Sequence, residues 1–315
     1  MLNLNKYRKI SKNFKLMSLI LEYLEKHPKE AKRLIGITAV QFQDLCSHAE
    51  ILSQQKSEQV EINKIRINRK GAGCKPKLSI KEQVLLTLVY LSQLHTFQYL
   101  GIQFEVSEST AHNIFHKWVK ILGELLPATL LEQFKKKESN YELIKEILTQ
   151  YELIVDSAEQ HIERPSDYQE QKKFYSGKKK AHTRKNQFIV LPEGKDIVDI
   201  KVGDPGPKSD INQFKERQKE FSKSQNFRGD KAYIGAEKMS TPQKKPKNGE
   251  LTEQQKEQNK KSAQQRIYVE HMIRLVKIFR IAKERFRLRP ESYNKVILIV
   301  CGLVRLRIGA LVLSS

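Results

Sequence analysis

The apolar residues of this 315-residue chain change their spacing once, near residue 150. Before that point they recur every three or four positions, the period of an amphipathic helix. Val84, Leu85, Leu88, Val89 and Leu91 follow it, as do Ala111, Ile114, Phe115, Trp118 and Leu122. Beyond it come short continuous runs: Leu153-Ile154-Val155, Phe188-Ile189-Val190-Leu191 and Ile197-Val198-Asp199-Ile200. Such runs, bounded by Gly and Pro, read as strands covered on both faces. No period of 20 to 50 residues recurs, which excludes a solenoid. The expected fold is an all-α N-terminal region followed by an α/β core.

Local signals divide the chain at 1–75, 76–126 and 150–312. In the first part Leu19, Ile20, Leu21, Tyr23 and Leu24 form an apolar stripe, and Thr38 with Gln41 has capping-box spacing. A basic joint, Arg69 to Lys77 with two glycines, reads as a linker. The second part predicts three helices. Ser79 with Glu82 caps the first, a short one runs from about Phe97 to Phe104, and Ser107 caps the third. This is helix-turn-helix order, in which the last helix enters the major groove. Its outward face offers Ser109, Thr110, Asn113, His116 and Lys117. A plain three-helix bundle would show the same pattern, so charge has to decide.

Lys plus Arg is 58 against 36 for Asp plus Glu, a net charge of +22. Such a field seeks nucleic acid or an anionic membrane. The most apolar stretch, Val296 to Leu313, contains Arg305 and Arg307, which would sit mid-bilayer at a cost of several kcal/mol. It therefore reads as a buried or dimer-facing helix, and double-stranded DNA becomes the expected partner, with no membrane. Met1 to Lys15 lacks the continuous apolar run of an export signal. Cys46, Cys74 and Cys301 form no CxxC pair, against both a disulfide scaffold and a structural zinc site.

In the third part Asp156 follows Leu153-Ile154-Val155 directly and is expected at the tip of a strand. A basic loop carrying Lys178, Lys179, Lys180, His182, Arg184 and Lys185 leads into a hairpin. Asp230 lies in a Gly-flanked loop, and Glu270 on a long helix expected from about Glu253 to Lys283. Three converging carboxylates without Cys or His suit hard cations, Mg²⁺ or Mn²⁺. Beside a basic surface the matching chemistry is phosphodiester cleavage assisted by two ions about 3.5–4 Å apart. Each acid by itself is also compatible with a strand-end cap, a buried ion pair or a surface charge. Arg266 precedes Glu270 by four residues and Lys277 follows it by seven, so the three share one helical face.

The stretch Arg266-x3-Glu270-x6-Lys277 resembles the last signature of DDE transposases of bacterial insertion sequences, in the branch related to PIF/Harbinger transposases. Further blocks carry the resemblance: Gly71-Ala72-Gly73-x-Lys75-Pro76-Lys77, Val155-Asp156-Ser157 with Glu163-Arg164-Pro165 and Tyr175-Ser176-Gly177-Lys178-Lys179, Gly229-Asp230-Lys231-Ala232-Tyr233-Ile234-Gly235, and Pro242 through Lys247-Asn248-Gly249 into the Glu270 helix. Ala263 and Ala232 depart from the family pattern without touching the acids. The resemblance implies an RNase H-like core (a central mixed sheet with flanking helices), a metal-binding triad of Asp156, Asp230 and Glu270 with two ions per active site, and a bacterial, nucleoid-associated cytoplasmic setting. It also implies cleavage at the terminal inverted repeats, strand transfer into target DNA, and a homodimer or higher assembly on DNA. Arg266, Lys277 and the basic segment with Lys178, Lys179, Lys180 and Arg184 would hold DNA. The competing readings are a catalytically inactive or domesticated DNA-binding regulator and a simple endonuclease of the same fold. An RNA-binding protein would call for exposed stacking aromatics on a sheet, and no such motif stands out.

Overall fold

The computed structural model describes residues 18–62, 76–135, 140–246 and 249–313. Met1 to Lys15, the joint at 69–75 including Cys74, and Lys247-Asn248 lie outside them. The described chain opens with α1 (Leu19–Lys26), α2 (Ala31–Leu34) and α3 (Ala39–Ile62). Thr38 and Gln41 cap α3 reciprocally: the Gln41 N–H donates to Thr38 Oγ1 (3.1 Å) and the Thr38 N–H to Gln41 Oε1 (3.0 Å). Then come α4 (Ile80–Gln93), α5 (Phe97–Gln103) and α6 (Glu108–Leu125). Ser79, Thr96 and Ser107 accept from backbone N–H groups at their starts, which satisfies donors that no helix can satisfy internally. Ala111, Phe115, Trp118 and Leu122 are buried. The Trp118 indole donates to Gln83 Oε1 on α4 at 2.9 Å, locking α6 against it. Ser109, Thr110, Asn113 and Lys117 remain exposed and His116 partly so. This is the expected helix-turn-helix.

After α7 (Leu130–Lys135) and α8 (Tyr141–Leu148) the sheet begins. Its elements are β1 (Leu153–His161), α9 (Tyr168–Phe174), β2 (Tyr175–Ser176), β3 (Ala181–Val190), β4 (Ile197–Pro205), α10 (Asp210–Gln218), β5 (Phe227–Arg228) and β6 (Met239–Ser240). The chain ends in α11 (Glu253–Ile278), α12 (Arg280–Lys283) and α13 (Tyr293–Ile308). The strand order is β4-β3-β1-β5-β6, with β2 pairing the start of β3. β3 runs antiparallel to β1 and β4, while β5 and β6 run parallel to β1. This is the RNase H-like arrangement: a hairpin strand inverted beside a central strand, with parallel strands on its other side.

The two-residue period sorts each strand between two cores. Leu153, Val155, Ile189 and Val198 face a cluster with Leu131, Leu148, Phe214, Phe227 and Tyr233. Ile154, Phe188, Val190 and Ile200 face the other, which continues through α11 and α13 to the N-terminal helices without a break. Both faces are covered, which is why the strands read as continuous apolar runs.

Four local expectations need correction. Asp156 does not end β1, because β3 is long enough to pair with it out to His161↔Thr183. His182, Arg184 and Lys185 are strand residues for the same reason. The stretch Gly203-Asp204-Pro205-Gly206-Pro207 reads from its sequence as a loop, yet Gly203 to Pro205 belong to β4. The helix expected to reach Lys283 breaks at Phe279, whose backbone is extended (φ −73°, ψ 109°). The Phe279 ring is fully buried against Gly36, where a Cβ would stand 2.4 Å from the ring's Cζ. Gly36 also has φ +83°, a conformation that favours glycine. A contact 243 residues away in sequence thus ends the helix. α13 is buried within its own chain on nearly every side, so it is a core helix and not a dimer face. Among the described residues no helix is long and apolar enough to cross a membrane.

Candidate active site

Asp156 sits two residues beyond Ile154, and Asp230 two residues beyond Arg228. Ile154 and Arg228 are partners in the parallel β1–β5 ladder. The two acids thus hold equal offsets from one parallel pair, Asp230 lying just past the end of β5, and the charge of Asp230 is felt at Asp156. The chain between Arg228 and Asp230 is Gly229, and a Cβ there would lie 2.7 Å from the Tyr233 ring. This glycine admits the ring, not a ligand. Asp230 then accepts from the Ala232 N–H at 2.8 Å and so caps the turn carrying Tyr233. Tyr233 Oη lies 2.9 Å from Ser157 Oγ and receives the Gln187 amide at 3.2 Å. One buried tyrosine therefore ties the Asp230 loop to the residue after Asp156.

α11 supplies the third acid. Val269, Met272, Ile273 and Val276 are buried at the spacing of a helix stripe and press the helix onto the Ile154 face of the sheet. Asp156 lies on that same face, two residues on. Glu270 is thereby turned into a cleft of about 380 Å³ shared with Asp156, Glu159, Asp210, Lys178, Lys179, Lys185, Arg274 and Lys277. Arg266 approaches Glu270 at 3.8 Å, and its Nε is buried without a partner.

Burial pushes the Asp156 carboxyl up to about 6. The Ser157 N–H and Arg266 oppose that shift, while Asp230 and Glu270 add to it. All three acids therefore share one electrostatic neighbourhood. Lys277 is shifted down by burial and by Lys179, with Asp156 opposing. Among the described residues no group of three His, Cys, Asp or Glu side chains is close enough together to hold a metal ion as placed. The donor set is nonetheless oxygen alone, at a half-buried acid flanked by two others, which fits a hard divalent cation.

The other sequence candidates are placed as follows. Lys178 and Lys179 line the cleft, whereas Lys180 is exposed in the turn beside it. Arg184 is stacked between the rings of Phe174 (4.8 Å) and Tyr293 (5.1 Å). The helix-turn-helix residues are on α6, away from the cleft-lining set.

The family model of the DDE superfamily endonuclease matches residues 155–305, and that of its helix-turn-helix matches residues 76–128. A probable transposase for insertion sequence element IS702, from Microchaete diplosiphon, is 33% identical over 230 residues, 72% of this chain and 80% of the relative. The chain belongs to the DDE transposases of insertion sequences. Two solved structures are also similar. A pre-cleavage Mos1 transpososome is 12% identical over 76% of this chain and 84% of that one, with a TM-score of 0.17. A Mos1 transposase paired-end complex with the left transposon end is 12% identical over 78% and 85%, with a TM-score of 0.18.

The transposase's cleft contains residues that sequence reasoning passed over. Arg274 stands four after Glu270, and helical spacing alone could have found it. Asp210 reaches the cleft, 3.0 Å from Lys185 of the basic segment, only through tertiary packing. Tyr233→Phe keeps the ring on Gly229 and deletes the hydroxyl. It is expected to cost about 1 kcal/mol of stability and to lower metal-dependent cleavage with DNA affinity unchanged. Urea denaturation and a binding titration check this; wild-type cleavage would show that the tyrosine does not position Asp230.

Proposed function

We propose that this transposase cleaves DNA at the ends of its insertion sequence and joins the freed end to target DNA. The observation that carries the reading is that Asp156 and Glu270 line one cleft while Asp230, at the matching offset beyond the parallel Ile154–Arg228 pair, is coupled electrostatically to Asp156. Asp156, Asp230 and Glu270 hold the metal, Mg²⁺ or Mn²⁺, in this reading. Two such ions, when bound, would stabilise charge on the attacking and leaving oxygens. In the first reaction a water oxygen attacks phosphorus and the bond to the 3′ oxygen breaks, leaving a 3′-OH and a 5′-phosphate. In the second that 3′-OH attacks a target phosphodiester, forming one P–O bond and releasing a target 3′-OH. Arg274, Lys277, Lys178 and Lys179 bind the phosphates that flank the cleft, and Arg266 orients Glu270. The exposed flank of α6, with Ser109, Thr110, Asn113, His116 and Lys117, reads the terminal repeat in the major groove. Transposition holds two ends together, so the working form is a dimer or larger assembly on double-stranded DNA.

The test uses purified protein and a labelled duplex ending in the element's terminal repeat. Nicking and joining to a second DNA with Mg²⁺, both lost in EDTA, support the reading. Tight binding without cleavage makes the protein a DNA-binding regulator, and nicking without joining a plain endonuclease. Within the same reading, Lys117→Ala is expected to weaken binding to all sequences alike and lower the salt slope by about 1. Asn113→Ala should instead relax preference at one base pair, with a discrimination loss of about 1–3 kcal/mol. Titrations at several salt concentrations separate the two.

A further inference from the structure

A second concavity, of about 400 Å³, opens beside the catalytic cleft and is lined by Arg164, Tyr168, Gln171, Lys172, Tyr175 and His182. Its size is that of a small-ligand site. Tyr168 is 71% exposed, against 45–47% for the other exposed tyrosines among the described residues, and Tyr175, at 47%, lines the same concavity. The Tyr175 and His182 rings meet edge to face, with centroids 5.6 Å apart. The walls are fixed. Asp167 caps α9, Arg164 donates to Gln171 Oε1 at 2.8 Å, and Gln171 donates to the Pro165 carbonyl at 2.8 Å. The nearby acid Glu170 is neutralised by Lys173 at 2.8 Å. Exposed rings with cations around them are the recognition chemistry of unpaired nucleotides, whose bases stack while the cations hold phosphate.

The position of the concavity gives it a role. Tyr175 and His182 are partners at the base of the β2–β3 hairpin, and Lys178 and Lys179 in its turn line the catalytic cleft. Three residues separate Tyr175 from Lys178, a span of at most about 11 Å. At the roughly 3.4 Å per nucleotide of a duplex strand, and more for an extended one, that is about three nucleotides at most.

We infer that the Tyr168–Tyr175–His182 concavity stacks unpaired bases of the DNA strand that leaves the catalytic cleft, keeping the cut end open a few nucleotides from the scissile phosphate. The inference rests on the functional reading above. His182 closes the base of the pocket, and Arg164 and Lys172 bind the backbone of the stacked strand.

The experiment compares two probes at one ionic strength: a blunt terminal-repeat duplex, and the same duplex with a three-nucleotide single-stranded tail carrying 2-aminopurine. Wild type is expected to bind the tailed probe more tightly and to quench the 2-aminopurine. Tyr168→Ala with Tyr175→Ala should weaken tailed binding about 5- to 150-fold, the range for one stacked base, and abolish quenching. Blunt binding should be unchanged, and the paired Phe replacements should keep both signals. Both tyrosines are exposed, so a thermal melt matching wild type confirms that the variant is folded. Equal affinity of wild type for the two probes, or retained preference in the double-alanine variant, overturns the inference alone. Failure of wild type to bind either probe overturns the functional reading with it.

Discussion

Asp156→Asn is expected to reduce end cleavage by about 10³- to 10⁴-fold, because several kcal/mol of transition-state stabilisation depend on its charge. DNA binding should persist, since the helix-turn-helix and the cationic cleft rim are untouched. The same variant has a second signature in stability. In the metal-free protein the Asp156 carboxyl is pushed up to about 6 by burial, with Asp230 and Glu270 adding. A carboxyl raised on folding is most favourable when protonated. Its contribution is complete below its unfolded value near pH 4 and is lost as pH rises through about 6. Ionised Asp156 thus works against folding at neutral pH, by at most about 3 kcal/mol. Asparagine carries no such charge. Asp156→Asn should therefore melt above wild type at pH 8 in EDTA and close to it at pH 4. Adding Mg²⁺ should raise the wild-type melting temperature at pH 8 and leave the variant nearly unmoved. Calorimetry at the two pH values decides this, and wild-type cleavage by Asp156→Asn would remove the acid from the active site.

Arg305→Met is expected to destabilise the fold by about 3–5 kcal/mol, a large part of the roughly 5–15 kcal/mol that a native domain has. Arg305 is fully buried on α13. It pairs bidentately with Asp196, Nε to Oδ1 at 2.6 Å and Nη2 to Oδ2 at 2.8 Å. Nη1 donates to the Pro127 and Thr129 carbonyls at 2.9 and 3.0 Å, and Nη2 to Gln133 Oε1 at 2.8 Å. All five guanidinium donors are used. The residue fastens the C-terminal helix to the hairpin turn and to the segment after the helix-turn-helix. Removing it strands Asp196, itself only 5% exposed, as an unpaired buried charge. Arg305→Lys should fail almost as badly, since a point charge cannot replace the planar fork. Arg305→Met with Asp196→Asn should recover part of the loss, because no buried charge is then left unpaired. Urea denaturation checks all three, and a single variant that unfolds at the wild-type midpoint would refute the account.

Helix starts were legible in the sequence because capping is local. Ser79 with Glu82, Thr38 with Gln41, and Ser107 each satisfy donors within three residues. The switch of period near residue 150 was equally legible, since it reports which faces are buried. The positions of Asp156, Asp230 and Glu270 stood out by motif. What brings Asp156 and Glu270 to one cleft, with Asp230 electrostatically beside Asp156, did not: the Ile154↔Arg228 pairing and the α11 stripe seated on the sheet join residues 74 and more apart, and the β1 ladder running on past Asp156 depends on its partner strand. Long separations likewise hid the break at Phe279 over Gly36, the stacking of Arg184 on Tyr293, and the partners of Arg305. By itself the sequence determined the elements, their caps, the charge that selects DNA and the residue types of the site. The tertiary structure decided which of those residues meet, because contacts between distant segments depend on register and packing that no local pattern encodes.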